Sequence, residues 1–145
     1  INLIKLKIFI SSDHAGFSLK DQIFEKLKKK NYRITNLGPF SNKSVDYPIY
    51  AKKLAKIVSR NKSSFGILVC GSGTGMAMSA NKVKNIRAAV CYNVKNTKLS
   101  RLHNNANIIT LGARLISKNL AYKLVNIFLK TKFEGGRHLR RIKKI

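Results

Sequence analysis

Acidic side chains are the scarcest feature of this sequence. Five Asp and Glu stand against 30 Lys and Arg in 145 residues, a formal net charge of +25. So few carboxylates exclude a calcium cage, and three His and two Cys without ligand spacing make no recognisable zinc site. No metal is therefore expected. The apolar runs are only a few residues long, against the ~20 needed to cross a bilayer as a helix, so no membrane partner is expected. Two Cys without a C-x-x-C, and the lack of a basic-then-apolar leader, fit a reduced cytoplasmic compartment.

What is abundant is positive charge, which ordinarily suggests a nucleic-acid or anionic-surface partner. The basic residues are spread evenly, 14 in residues 1–75 and 16 in residues 76–145. A phosphate-backbone footprint is clustered on one face or one arm instead. Lys, Ile and Asn together fill 52 positions, and all three have AT-rich codons, so the excess reads as compositional. A specific nucleic-acid partner is the weaker reading.

The length suits a single domain over residues 1–145, long enough to bury roughly 70% of its unfolded surface. Short apolar runs alternate with amphipathic segments, the pattern of βαβ units. Strands are predicted at about Leu6–Ser11, Tyr32–Leu37, Phe65–Cys70, Ala88–Cys91 and Ile108–Leu111. The first helix, Ser18–Lys30, carries Leu19, Ile23 and Leu27 on one stripe, and the second carries Ala51, Leu54, Ala55 and Val58. A third is expected near Gly75, a fourth near Lys95, and a fifth bearing Leu120, Leu124, Ile127 and Phe128. The fold class is α/β: a three-layer, Rossmann-like arrangement around a five-stranded, mostly parallel sheet. Residues 133–145 break the alternation and form a basic tail.

In open parallel sheets the ligand crevice lies beyond the carboxyl ends of the strands. After the third strand comes Cys70-Gly71-Ser72-Gly73-Thr74-Gly75, a loop whose glycines let backbone N–H groups approach an anion. It is neither a Walker loop, since no Lys-Ser or Lys-Thr follows, nor a dinucleotide fingerprint, since Met76 stands where the last Gly belongs. Cys70, just before helix-entry glycines, sits where amides and a helix dipole favour a thiolate, a base or nucleophile. The plainer reading of Cys70 is a small apolar strand terminus, the reading given to Cys91. Asp13 and His14 follow the first strand side by side, and Asp13 also suits a turn or helix cap. His103 falls late in the fourth helix. Arg114 follows the fifth strand, and Arg137 and Arg141 would share a face if the tail turns helical, forming a clamp for a phosphate dianion.

Together these stretches resemble the type B ribose-5-phosphate isomerases, relatives of the galactose-6-phosphate isomerase subunits. The residues carrying the resemblance are Ser12-Asp13-His14-Ala15-Gly16, Asp46-Tyr47-Pro48, Cys70 to Gly75, Ala80-Asn81-Lys82, Ser100-Arg101-Leu102-His103-Asn104 and Glu134-Gly135-Gly136-Arg137-His138. The resemblance implies interconversion of ribose 5-phosphate and ribulose 5-phosphate through a cis-enediolate, in the non-oxidative branch of the pentose phosphate pathway. It implies Cys70 as the base moving a proton between C2 and C1, His103 as the ring-opening acid, and Asp13 assisting at the ring oxygen. His14, Arg137 and Arg141 match phosphate contacts, Asn104 and Arg114 match sugar contacts, and Gly71, Ser72, Gly73, Thr74 and Gly75 match the anion hole. Ser72 stands where relatives often carry Thr. No cofactor is implied. The partners implied are a small sugar phosphate and a second copy of the chain, as a homodimer or dimer of dimers with shared active sites, the stretch around His103 and Asn104 crossing the interface. A six-carbon substrate, galactose or allose 6-phosphate, is the alternative.

Overall fold

Every strand pairing in the sheet is parallel. The computed structural model describes residues 6–145, so the first five residues of the expected domain span lie outside the described part. In chain order the elements are β1 (Lys7–Ser12), α1 (Phe17–Lys29), β2 (Arg33–Asn36), α2 (Tyr47–Arg60), β3 (Ser64–Cys70), α3 (Thr74–Ala80), β4 (Ala88–Val90), α4 (Val94–Leu102), β5 (Ile108–Gly112), α5 (Lys118–Lys130) and α6 (Arg137–Ile142). The strand order is β2-β1-β3-β5-β4. Where a mostly parallel sheet was expected, all four neighbouring pairs are parallel.

Parallel pairing follows from the helices between the strands, which carry the chain back across a face of the sheet each time. The central strands β3 and β5 are buried at every position, while the edge strands β2 and β4 are not. That matches their sequences, since Phe65-Gly66-Ile67-Leu68-Val69 is a continuous apolar run and Arg33-Ile34-Thr35-Asn36 alternates. One face packs Leu19, Ile23 and Leu27 of α1 and Leu124 and Phe128 of α5 against Ile8, Ile10, Ile67 and Ile109. The other packs Ala51, Leu54, Ala55 and Val58 of α2 against Leu68, Met76 and Ile108. Each fully buried Leu, Ile or Phe contributes about 1.5–3 kcal/mol relative to exposure.

The α5 stripe sits slightly round from its expected place. Ala121, Leu124, Val125, Phe128 and Leu129 are the buried positions, whereas Leu120 and Ile127 are only partly covered. α1 holds a residue whose charge argues against burial although its position lies on the stripe, three before Ile23: Lys20 is fully buried. Its ammonium donates to the Pro39 carbonyl at 2.6 Å and to Asn36 Oδ1 at 3.2 Å, and it pairs with Asp21 at 2.7 Å. Lys20 thereby anchors the segment that follows β2 to α1.

The order reversal between β1 and β3 opens the crevice. From β1 the chain steps outward to β2, then returns across β1 to β3, so the loops after β1 and β3 diverge to opposite faces. Asp13 and Cys70 stand at that point. α4 begins at the carboxyl end of β4 and returns to the start of β5, which places His103 at the opposite, amino end of the sheet. No helix among the described residues is long and apolar enough to cross a membrane.

Candidate active site

The glycine loop after β3 is shaped by close approach. Gly73, the residue before α3, has φ +79°, and a Cβ there would also stand 3.1 Å from the Leu111 carbonyl carbon. A Cβ on Gly75 would enter the ring of Tyr47. This backbone path brings the Gly73 N–H to 3.1 Å from Sγ of Cys70, whose residue is only 5% exposed. A fixed donor therefore faces the sulfur, while Ser72 Oγ accepts from the Thr74 N–H at 3.3 Å. The loop after β5 braces the same turn. Ala113 and Arg114 donate their N–H groups to the carbonyls of Cys70 and Gly71 at 2.8 and 3.0 Å. The Arg114 guanidinium lies across Gly71, its Nη1 3.0 Å from where a Cβ would stand.

Asp13 is next to this turn, its N–H donating to the Val69 carbonyl at 3.2 Å. Oδ1 accepts from the Gly16 N–H at 3.0 Å, so the turn role the sequence allowed is present and uses one carboxylate oxygen. His14 is exposed, with Nδ1 3.2 Å from both the N–H and the carbonyl oxygen of Val45. When Nδ1 accepts from that N–H, the ring proton sits on Nε2, the edge free to meet an anion. Asp13, His14, Cys70 to Gly75 and Arg114 thus gather at the carboxyl end of the sheet.

The remaining residues gather elsewhere. His103 caps the carboxyl end of α4 rather than lying within it. Its ring stacks on His138 with centroids 4.2 Å apart and planes 12° apart, and its Nε2 is 3.7 Å from Glu134 Oε2. The tail is helical at Arg137–Ile142, so Arg137 and Arg141 share the element that carries His138. Burial of the His138 ring, then the nearby positive charges of His103, Arg137 and Arg141, lower its pKa below the usual histidine value, against an opposing pull from Glu134. Two arginines hold the turn bearing His103 and Asn104. Arg87 donates to the Asn104 and Asn105 carbonyls at 3.0 to 3.1 Å. Buried Arg101 bonds Thr131 O, Asn105 Oδ1 and Ala106 O and lies over the rings of Phe65 and Phe128. Burial and the charge of Arg87 bring Arg101 down to about 10, still charged at neutral pH.

Distance separates the two groups. Gly66 pairs with Ile108 and Cys70 with Gly112, so the levels of these two pairs are four residues apart, roughly 13 Å along the strands. His103 and Asn104 lie beyond the Ile108 level. His103, Glu134 and His138 bring donor atoms within 4.8 Å of one another. The near-parallel rings aim their lone pairs side by side, however, which does not suit chelation of one ion.

A family model described as Ribose/Galactose Isomerase matches residues 8–145. The chain belongs to the ribose/galactose isomerase family. It is 38% identical over 139 residues to the ribose-5-phosphate isomerase B of Escherichia coli, covering 96% of this chain and 93% of that protein. Among solved structures, a ribose 5-phosphate isomerase from Thermotoga maritima is similar with a TM-score of 0.94 at 48% identity, covering 97% of each chain. The ribose-5-phosphate isomerase B of Mycoplasma genitalium, with bound ribulose-5-phosphate, gives 0.94 at 44% identity, covering 97% of this chain and 93% of that one.

In this family member, two site neighbours carried no role in the sequence reading. Tyr47 stands against Gly75 and is 41% exposed. Its signal was the Asp46-Tyr47-Pro48 motif, in which Pro favours a helix start. Val45 fixes the His14 ring through backbone atoms alone, which no side-chain pattern reveals. Cys91, read as a bland strand terminus, is buried, and burial raises its thiol pKa against weaker hydrogen bonds from Thr97 and Ser100.

Proposed function

We propose that this protein is an aldose-ketose isomerase interconverting ribose 5-phosphate and ribulose 5-phosphate. The observation that carries the reading is Cys70 at the β1/β3 crevice with the Gly73 N–H on its sulfur and Asp13 beside it. The ribulose-5-phosphate in the Mycoplasma genitalium structure supports the five-carbon substrate.

Each residue then has a chemical task. The thiolate of Cys70 removes the C2 proton of the open-chain aldose, the C2–H electrons form the C1–C2 double bond of the cis-enediolate, and charge moves to O1. The O2 proton passes to O1, and the same sulfur returns its proton to C1 as the carbonyl forms at C2. Amides of Gly71, Ser72, Gly73, Thr74 and Gly75 surround the place where oxyanion charge develops, donors that cost no reorganisation during reaction. His103 protonates the ring oxygen during opening, and Asp13 takes part around the anomeric hydroxyl. His14, Arg137 and Arg141 receive the phosphate, while Arg114 and Asn104 hold the sugar hydroxyls and keep C1 and C2 against the thiolate.

This division of labour requires a second copy. With Cys70 and His103 on opposite ends of one sheet, one chain cannot apply base and acid to a five-carbon molecule. A homodimer in which each crevice receives His103, Asn104, Arg137 and Arg141 from the partner subunit resolves the separation, and two such dimers can pair further. Exposed apolar side chains supply surface for it, Met78, Tyr92 and Leu139 among them. The reading includes one isomerase domain over residues 1–145 and a cytoplasmic location, which the free Cys70 and Cys91 suit.

Assay of the purified protein with ribose 5-phosphate tests the function. Turnover at a rate exceeding that on galactose 6-phosphate and allose 6-phosphate is the expected result. No turnover of the pentose, or a preference for a hexose phosphate, overturns it.

A further inference from the structure

Glu134 is the only acid in the sequence after Asp46. In a chain of net charge +25 it stands within ion-pair distance of an imidazole, with Oε2 3.7 Å from His103 Nε2. Its own N–H donates to the Leu102 carbonyl at 3.0 Å, so the tail is fastened to the turn that bears His103. From the other side comes His138, 6% exposed, its ring face to face with His103 at 4.2 Å and its Nε2 without a hydrogen-bond partner among the described residues. Two contacts therefore converge on one ring, and a backbone bond fastens the turn that bears it.

We propose that Glu134 and His138 are positioning residues for ring opening, holding the His103 imidazole in the single orientation from which it protonates the sugar's ring oxygen. The stack fixes the plane of the ring, and the carboxylate fixes which edge faces away from it. An imidazole free to rotate about its two side-chain bonds spends much of its time misaimed, and general-acid catalysis depends on hydrogen-bond reach to the proton's destination. Desolvation and the surrounding cations lower the His138 pKa, so its ring stacks on His103 without adding a second full charge.

The assignment rests on the isomerase reading, and substrate chemistry separates the two. Ribose 5-phosphate is a furanose and must open before C2 is acidic. Ribulose 5-phosphate has its carbonyl at C2 and its C5 oxygen esterified, so it forms no five-membered ring and needs no ring opening. A residue that acts only through the ring-opening acid therefore matters for the aldose and not for enediolate formation from the ketose.

The test compares wild type, Glu134→Gln and His138→Gln in two measurements. One is turnover of ribose 5-phosphate; the other is exchange of the C1 hydrogen of ribulose 5-phosphate with deuterium in the solvent, followed by NMR. The expected result is a fall of about 10- to 100-fold in aldose turnover, part of the 10²–10⁴-fold a general acid supplies, with C1 exchange within about threefold of wild type. An equal loss in both measurements, or no loss in either, overturns the proposal. Glu134 is half exposed, so its Gln variant keeps the packing, and either variant alone decides the question. Wild type with neither turnover nor exchange overturns the isomerase reading instead.

Discussion

At the carboxyl end of the sheet the reactive groups stand on backbone. Cys70 Sγ meets an amide, His14 is held by main-chain atoms of Val45, and glycines at 71, 73 and 75 leave room for Arg114, Leu111 and Tyr47. At the amino end every support is a side chain: His103 rests on His138 and Glu134, Arg101 lies over Phe65 and Phe128, and Arg87 holds the carbonyls of the 104–105 turn. A backbone-built site resists substitution only where glycine is required, whereas a side-chain-built site is sensitive at every member. The contrast also divides the chemistry, with the proposed base and anion hole at one end and the acid and phosphate arginines at the other.

The largest expected effect falls at the carboxyl end and on activity alone. Cys70→Ala removes the proposed base and lowers kcat by about 10²–10⁴-fold or more, with the KM for ribose 5-phosphate little changed. Steady-state kinetics checks it, and a variant with near wild-type kcat removes the thiol from the mechanism. At the amino end the largest effect is on stability. Arg101→Ala leaves the Thr131 and Ala106 carbonyls and Asn105 Oδ1 unpaired and uncovers the faces of two phenyl rings, a loss of about 2–4 kcal/mol by urea unfolding. A loss under ~1 kcal/mol would mean that the guanidinium's desolvation had offset its bonds.

Gly73→Ala tests the glycine half of the contrast. A methyl at φ +79° against the Leu111 backbone costs about 1–2 kcal/mol and displaces the amide that faces Cys70, so Tm and kcat fall together. A smaller, pH-dependent effect belongs to His138. Its pKa is lowered on folding, so as pH falls below about 6.5 the unfolded chain binds the proton first, and stability declines across that window until the folded value is passed. Thermal melts from pH 7 to pH 5 should show a shallower decline in His138→Gln than in wild type; a slope unchanged by the substitution would place the titration on another group.

The strands and the buried stripes of α1 and α2 were legible because burial imposes a period, of 2 or of 3.6, that composition cannot hide. Lys20 keeps that period but hides from it by residue type, since a buried ammonium is justified only by three partners brought from Asn36, Pro39 and Asp21. The residues of the site were legible one at a time, as unusual types at strand ends or in motifs. Their grouping was not, because whether His103 meets Cys70 depends on which way α4 runs relative to the sheet. Tyr47 and Val45 escaped for the same reason: their roles are contacts between segments 28 and 31 residues apart in sequence.

Sharing of each active site between two copies is most directly tested by combining two broken chains. Cys70→Ala and His103→Gln, each inactive alone, are co-expressed with different tags and the mixed complex is purified through both. A mixed dimer holds one site with neither group and one with both, so it should show about half the activity of wild type per dimer. A mixed dimer as inactive as its parents, beside an active wild type, would contradict the shared site.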